Sequence, residues 1–229
     1  MNKSVLIFSK TALKIIIGII IVLSLFFGSA GTFYWLEAWI FLIVYFLYAL
    51  GFYIWLKVKN PELLKERMSR RSEGKWWDRI IIIIYSILLA LLIILCGLDA
   101  VRFKWTNPSL ILKIIAYIVL SFTGIVMFFT MRENSFLSAV VRIQKDRSQT
   151  VIKTGPYKYI RHPMYFSIIL MILSVPVVLG SLLSLFISGL IVILFIIRTS
   201  LEDKTLQKEL PGYHEYTREV RYRLFPGIW

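Results

Sequence analysis

Five stretches of the chain carry no charged residue: 15–36, 38–56, 80–98, 114–131 and 163–197. A helix needs about 20 apolar residues to cross the hydrocarbon core of a bilayer. Each of the first four stretches therefore predicts one crossing, the fourth lengthened by the apolar residues before Lys113. The fifth is too long for one ordinary crossing, and Pro176 and Gly180-Ser181 lie near its middle. Proline removes an internal hydrogen bond and glycine tolerates a turn. The pattern predicts two short helices there, 163–178 and 182–198, joined by a tight turn and either packed inside the bundle or not reaching fully across. Between the second and third stretches, Asn60-Pro61-Glu62 predicts a turn into a short charged helix. Trp76-Trp77 reads as a pair of interface anchors.

The chain is 58% hydrophobic, with a mean hydropathy of +0.74, beyond the usual range of soluble domains. Its formal charge of +14 would point to nucleic acid in a soluble protein. Here the cations lie between apolar runs, so they report topology instead, and no nucleic-acid partner is expected. With six passes, the segments before residue 15, 57–79, 132–161 and 198–223 share one side and hold all but three of the 27 Lys and Arg residues. Only Arg102, Lys104 and Lys113 fall on the other side. That bias predicts cytoplasmic placement of both termini. A single pass through 163–197 would send the cationic tail to the opposite side and part it from Arg161.

The expected fold is thus all-α: a polytopic membrane helix bundle of about six hydrophobic helices. It includes a short C-terminal helical hairpin and carries a cytoplasmic interfacial loop and tail. It forms a single domain over 1–229, with four transmembrane helices in 1–131. Lys3, Lys10 and Lys14 before the first run, with Gly28-Ser29-Ala30 after it, also fit a signal peptide. The uncharged span is long for that role, and a retained helix is expected. Cys96 stands alone in an apolar run, so neither an internal disulfide nor a Cys/His zinc set can form.

Any chemistry must come from the polar segments and the helix ends. Gly155-Pro156-Tyr157 is a turn signal, and Lys158, Arg161 and His162 bring cations to the membrane surface. Pro163 suits the first turn of a helix, whose free N–H groups attract an anion. Interfacial cations and tyrosines are also common decoration. Arg198 and Glu202 stand four apart and can share a helix face as an ion pair. Alternatively, Glu202 accepts from hydroxyls or an ammonium while Arg198 receives an anion. Glu202-Asp203 forms an acidic pair at the membrane edge, where desolvated charge marks function. Asn134 is expected to cap a helix, and Gln144 and Gln149 could bond a nucleoside. Tyr213, Tyr216, Tyr222, Phe225 and Trp229 read as an amphipathic interfacial cover.

The segment "TGPYKYIRHPMY", the hydrophobic hairpin, "RTSLED" and "YHEYTREVRYRLFPGIW" together resemble the isoprenylcysteine carboxyl methyltransferase family, within a wider group that includes phospholipid N-methyltransferases. The resemblance covers about 132–229. It implies a membrane enzyme that uses S-adenosylmethionine, with 132–229 as the cofactor-binding catalytic region. It further implies that Tyr157, His162, Pro163, Met164 and Tyr165 line the cofactor pocket, that Gln149, Thr150, Val151 and Ile152 contact the cofactor, and that Glu202 holds it. Arg198 would touch the substrate, and Arg198 and Glu202 would carry catalysis. Gln144 matches a cofactor-binding glutamine of the family except in its spacing. Many members have two glutamates where this chain has Glu202-Asp203, which keeps the charge.

The implied partners are membrane lipids and an acceptor with a prenyl or acyl tail arriving from the bilayer. Alternative acceptors are phospholipid amines, which must lose a proton before attack. A membrane NADPH-dependent reductase is the competing enzyme class, although no Gly-x-Gly-x-x-Gly pattern is present. A structural or lipid-binding protein is the non-enzymatic reading.

Overall fold

A computed structural model describes residues 13, 15–69 and 73–229. The cations at 3, 10 and 14 lie outside the described residues, and so do two of the eight in 57–79. The helices are α1 (Ile15–Gly28), α2 (Leu36–Lys59), α3 (Pro61–Ser69), α4 (Trp76–Gly97), α5 (Leu110–Glu133), α6 (Pro163–Val178), α7 (Leu185–Glu209) and α8 (Tyr213–Glu219). A wider π-turn, Leu98–Phe103, extends α4. Helices α2, α4, α5 and α7 are long and apolar enough to cross a membrane, while α1 and α6 are shorter. The all-α membrane bundle with six hydrophobic helices is therefore the observed architecture. The short charged helix expected after Asn60 is α3, and the Asn60 side chain caps it by accepting the Leu63 N–H (3.1 Å).

Two boundaries differ from the sequence expectation. The first uncharged run is not one helix, because the chain turns at 31–35 and Leu36 already opens α2. The second half of the hairpin does not stop at Arg198 but continues to Glu209. Residues 199–209 lack Pro and Gly and are rich in Leu, Glu, Lys and Gln, all good helix formers. The helix continues until Pro211-Gly212. Arg198, Glu202 and Asp203 consequently project from the body of a rigid helix, not from a loop.

The hairpin turn forms as its residues dictate. Pro163 occupies the first helical position of α6, and Pro176 sits in its last turn. The Gly180 N–H reaches Val177 O (3.1 Å) and the Ser181 N–H reaches Pro176 O (2.8 Å), with Gly180 at φ +93°. This is the glycine-terminated helix end that satisfies two orphan carbonyls. Apolar burial gives helices little reason to associate within lipid, so close packing and hydrogen bonds hold them. Ser167, Ser174, Ser188 and Thr199 are all buried in the hairpin. Ser188 Oγ donates across it to Ile172 O (2.8 Å). Phe26 and Phe27 of α1, Leu92 and Cys96 of α4, Ile169 and Ile172 of α6, and Ile191 and Phe195 of α7 belong to one core. Helix α2 buries only Ala38 and Leu56, so nearly its whole apolar surface is left for lipid.

Polar layers form at the two ends of the bundle. At one end, the fully buried Asp99 carboxylate accepts from Thr106 N–H (2.8 Å), Thr106 Oγ1 (2.6 Å), Ser181 Oγ (2.6 Å) and Leu183 N–H (3.2 Å). At the other, Arg142 makes a fork to Glu66 (2.8 Å for each bond), Lys75 pairs with Glu209 (2.6 Å), and Lys153 pairs with Glu219 (2.6 Å). The segments 57–79 and 132–162 and the C-terminal region thus meet in one layer, the grouping that the charge distribution predicts. Replacing Asp99 with Ala strands buried donors, each costing about 1–3 kcal/mol. Asp99→Ala is expected to lower the melting temperature in detergent by several degrees, whereas Ser109→Ala, at an exposed helix cap, shifts it far less.

Candidate functional site

Between α5 and α6 the chain runs through a mostly irregular loop broken by short turns at Lys145–Arg147 and Gly155–Lys158. This loop, the starts of α6 and α8, and the middle of α7 enclose a cavity of about 390 Å³. Of the residues singled out for the cofactor or the substrate, all but Gln144 line it: Gln149, Thr150, Val151, Ile152, Tyr157, His162, Pro163, Met164, Tyr165, Arg198 and Glu202. Residues of earlier helices also contribute, with Tyr45 of α2, Tyr85 of α4, and Met127 and Met131 of α5 joining Ile168 and Met171 of α6 as the more apolar part of the lining.

Glu202 accepts a hydrogen bond from the Tyr165 hydroxyl. The Tyr165 ring lies parallel to the His162 ring at 5.8 Å. Residues 162, 165 and 202 therefore converge on one pocket. Arg198 sits 5.1 Å over the Tyr165 ring and 5.9 Å over Phe195. Its ion-pair partner is Asp78, at 2.8 Å from Nε, rather than Glu202, as helical spacing alone would have it. Both carboxylates are within reach of Arg198's helix face, but Asp78 is fully buried at the start of α4. Buried Asp99 is satisfied by four neutral donors, whereas Asp78 has one, the Val141 N–H, and the Arg198 cation completes its shell.

The expected acidic pair is also divided. Neighbouring positions on a helix point about 100° apart, so while Glu202 faces the cavity, Asp203 is wholly buried beside it. Arg161 grips Asp203 with Nε (2.8 Å) and Nη2 (3.0 Å). The same carboxylate engages Arg223 Nε (2.9 Å), Gln207 Nε2 (2.8 Å), the Tyr213 hydroxyl (3.0 Å) and His162 Nε2 (3.2 Å). Burial, reinforced by the Asp203 charge, pushes the Tyr213 phenol well up, so it stays a donor. Backbone bonds from Arg161 N–H to Tyr222 O and from His162 N–H to Arg223 O (3.0 Å each) seal the tail against the α6 start.

Gln144 does not line the cavity. It is fully buried and braces the loop, donating to Phe136 O (2.5 Å) and accepting from Arg147 (2.6 Å). Gln149 Oε1 accepts the Gln144 N–H (2.8 Å) while the residue lines the pocket. Asn134 follows the last turn of α5. Its Oδ1 accepts the Phe136 N–H (2.9 Å), and its Nδ2 donates to the Tyr157 hydroxyl (2.8 Å). Burial pushes the Tyr157 phenol up as well. Tyr213 and Tyr216 line the cavity, so the C-terminal region is a wall and not only a cover; Tyr222 faces outward.

The electrostatic sum is informative. Four guanidiniums line the cavity: those of Arg142, Arg161 and Arg198 each have a carboxylate partner, and that of Arg67 donates to Leu137 O (3.1 Å). Glu202 lines the same cavity, and the hydrogen bond it accepts comes from a neutral phenol. The cavity therefore holds one carboxylate suited to a cationic or hydroxyl-bearing ligand, beside aromatic rings that favour a cation. Sequence reasoning passed over Asp78. The available signal was a lone acid at the mouth of an apolar run, just after Trp76-Trp77.

Comparison with known proteins bears on this region. Residues 110–208 match the model of the "Isoprenylcysteine carboxyl methyltransferase (ICMT) family". This stretch, 99 of the 229 residues, is similar to that family. The match spans α5 to α7, which carry Tyr157, His162, Tyr165, Arg198 and Glu202. It supports a membrane methyltransferase. A search of curated proteins returned no match.

Stripping one partner from a buried ion cluster costs about 3–5 kcal/mol. Asp203→Asn, which leaves Arg161 and Arg223 without their carboxylate, is expected to lower the melting temperature by well over 5 °C and to expose 213–229 to protease. An unchanged digestion pattern would contradict the clamp.

Proposed function

We propose that the protein is an S-adenosylmethionine-dependent carboxyl O-methyltransferase acting on an isoprenylcysteine-like or other lipophilic acid. The observation that carries this reading is the make-up of one cavity. It joins the Glu202 carboxylate, the Arg198 guanidinium, stacked aromatic rings and an apolar side at Met127, Met131, Ile168 and Met171. The residues present fit the cofactor's chemistry. Tyr157 and Tyr165 offer ring faces and Glu202 offers a carboxylate for its positive and hydroxyl groups, with 149–152 as the flanking wall. When bound, S-adenosylmethionine supplies an electrophilic methyl group on a sulfonium.

The chain's own residues have three tasks. Glu202 and the aromatic rings bind the polar ligand. Arg198 orients an anionic acceptor by paired N–H bonds. The 134–162 loop and the tail exclude water. An acceptor carboxylate is already ionised at neutral pH, so no residue need remove a proton. Alignment of the two reactants then supplies several kcal/mol of the barrier. The apolar side, made from α2, α4, α5 and α6, receives a prenyl or acyl tail from the bilayer, and the basic layer faces the cytosol by the positive-inside rule. A phospholipid amine is the second reading of the acceptor. Arg198 can pair with the acceptor carboxylate in the first reading and with the headgroup phosphate in the second, so the labelled product decides between them.

The deciding experiment incubates purified protein with methyl-labelled S-adenosylmethionine and separate prenylcysteine and amino-phospholipid acceptors. Base-labile label in the prenylcysteine is the expected product, and base-stable label in phospholipid would replace this reading. Glu202→Gln is expected to weaken S-adenosylmethionine binding about 10- to 100-fold, the worth of a charge-assisted hydrogen bond. Arg198→Lys is expected to lower kcat/KM for the acceptor about 100-fold with little change in cofactor affinity, because an ammonium cannot reproduce the planar fork.

A further inference from the structure

We infer that Asp78 is the positioning residue that presents the Arg198 guanidinium to an anionic acceptor, an inference that rests on the carboxyl-transfer reading above. Asp78 lies in the first turn of α4, far in sequence from the loop and α7, yet it is fully buried among them. One carboxylate oxygen accepts from Arg198 Nε (2.8 Å), and the other accepts the Val141 N–H (2.8 Å). The Val141 carbonyl accepts the Lys75 N–H (3.0 Å), so the start of α4 and the roof loop are bonded in both directions. A Cβ at Gly74 would stand 2.8 Å from Val140 Cβ, so this close approach requires glycine.

The guanidinium is held at Nε by Asp78, weakly at Nη2 by Ala139 O (3.4 Å), and over the Tyr165 and Phe195 rings. Its Nη1 makes no hydrogen bond among the described residues, and Arg198 lines the cavity. The end of the fork that remains is the Nη1/Nη2 edge, which matches a carboxylate in two parallel bonds. Asp78 occupies Nε, so it selects which edge is offered.

The charge of Asp78 makes this testable against plain electrostatics. By Coulomb attraction alone, removing a carboxylate beside Arg198 would tighten the binding of an anion. If Asp78 positions Arg198, its removal must weaken that binding. The measurement is equilibrium binding of labelled N-acetyl-S-farnesylcysteine, of its carboxamide, and of S-adenosylmethionine to full-length protein in nanodiscs. For Asp78→Asn we expect carboxylate affinity to fall at least tenfold, with carboxamide and S-adenosylmethionine affinities within twofold of wild type. In an Arg198→Gln background, Asp78→Asn should cost no further carboxylate affinity. Asp78→Glu keeps the charge but shifts the guanidinium by about a bond length, and it should show the same selective loss even if Asp78→Asn does not fold.

Unchanged or tighter carboxylate binding, an equal loss for the carboxamide, or a loss additive with Arg198→Gln would each overturn the inference. Wild-type protein that prefers the carboxylate but transfers no methyl group to any acceptor would sink the methyltransferase reading while leaving the positioning role of Asp78 standing. Wild-type protein that binds acid and amide equally would overturn the positioning role.

Discussion

A carboxylate buried without water must be surrounded by donors, and the architecture of the site follows from how Asp203 meets that demand. Its side chain is inaccessible, and its partners come from three places: Arg161 and His162 before α6, Gln207 on α7 itself, and Tyr213 and Arg223 in the tail. Desolvating an ion costs several kcal/mol, which only a full set of paired charges and hydrogen bonds offsets. The cluster therefore assembles as a unit. It fixes where α6 begins, brings the tail across the mouth of the cavity, and turns the neighbouring Glu202 toward the open space.

The acids around the bundle divide between structure and ligand. Asp99 closes the far end of the hairpin through neutral donors. Asp203 and Asp78 neutralise Arg161 and Arg198, and Glu66 neutralises Arg142. Glu202, bonded to the Tyr165 hydroxyl, is the acid that lines the cavity. One cavity thereby offers a carboxylate and a guanidinium, both set on α7 and separated by a single helical turn.

The family match spans 110–208, and within it lie the hairpin and the residues of both charged features. Several residues that complete the site lie outside it. Asp78, Tyr45 and Tyr85 come from earlier helices, and Tyr213 and Tyr216 from the tail. Helix α2, so sparsely buried, adds Tyr45 to the apolar side of the cavity.

Much of this was legible in the chain itself because lipid simplifies the problem. Charge-free runs of a given length must be helices, since no other open structure satisfies the backbone there, and cations sort to one side. Pro163, Pro176 and Gly180 have local conformational limits, so the start of α6 and the turn could be placed to within a few residues, whereas the end of α7, eleven residues beyond Arg198, could not. Motif order and spacing singled out residues from Gln149 to Glu202, and the fold brings them to the lining of one cavity. Pairings were not. Helical spacing proposed Arg198 with Glu202 and treated Glu202-Asp203 as one feature, because sequence distance was all it could weigh. Burial decided otherwise: the fully enclosed Asp78 and Asp203 took the cations, and the half-open Glu202 kept a neutral partner. Which charges are desolvated depends on elements up to 120 residues apart coming together, and only the tertiary structure determines that.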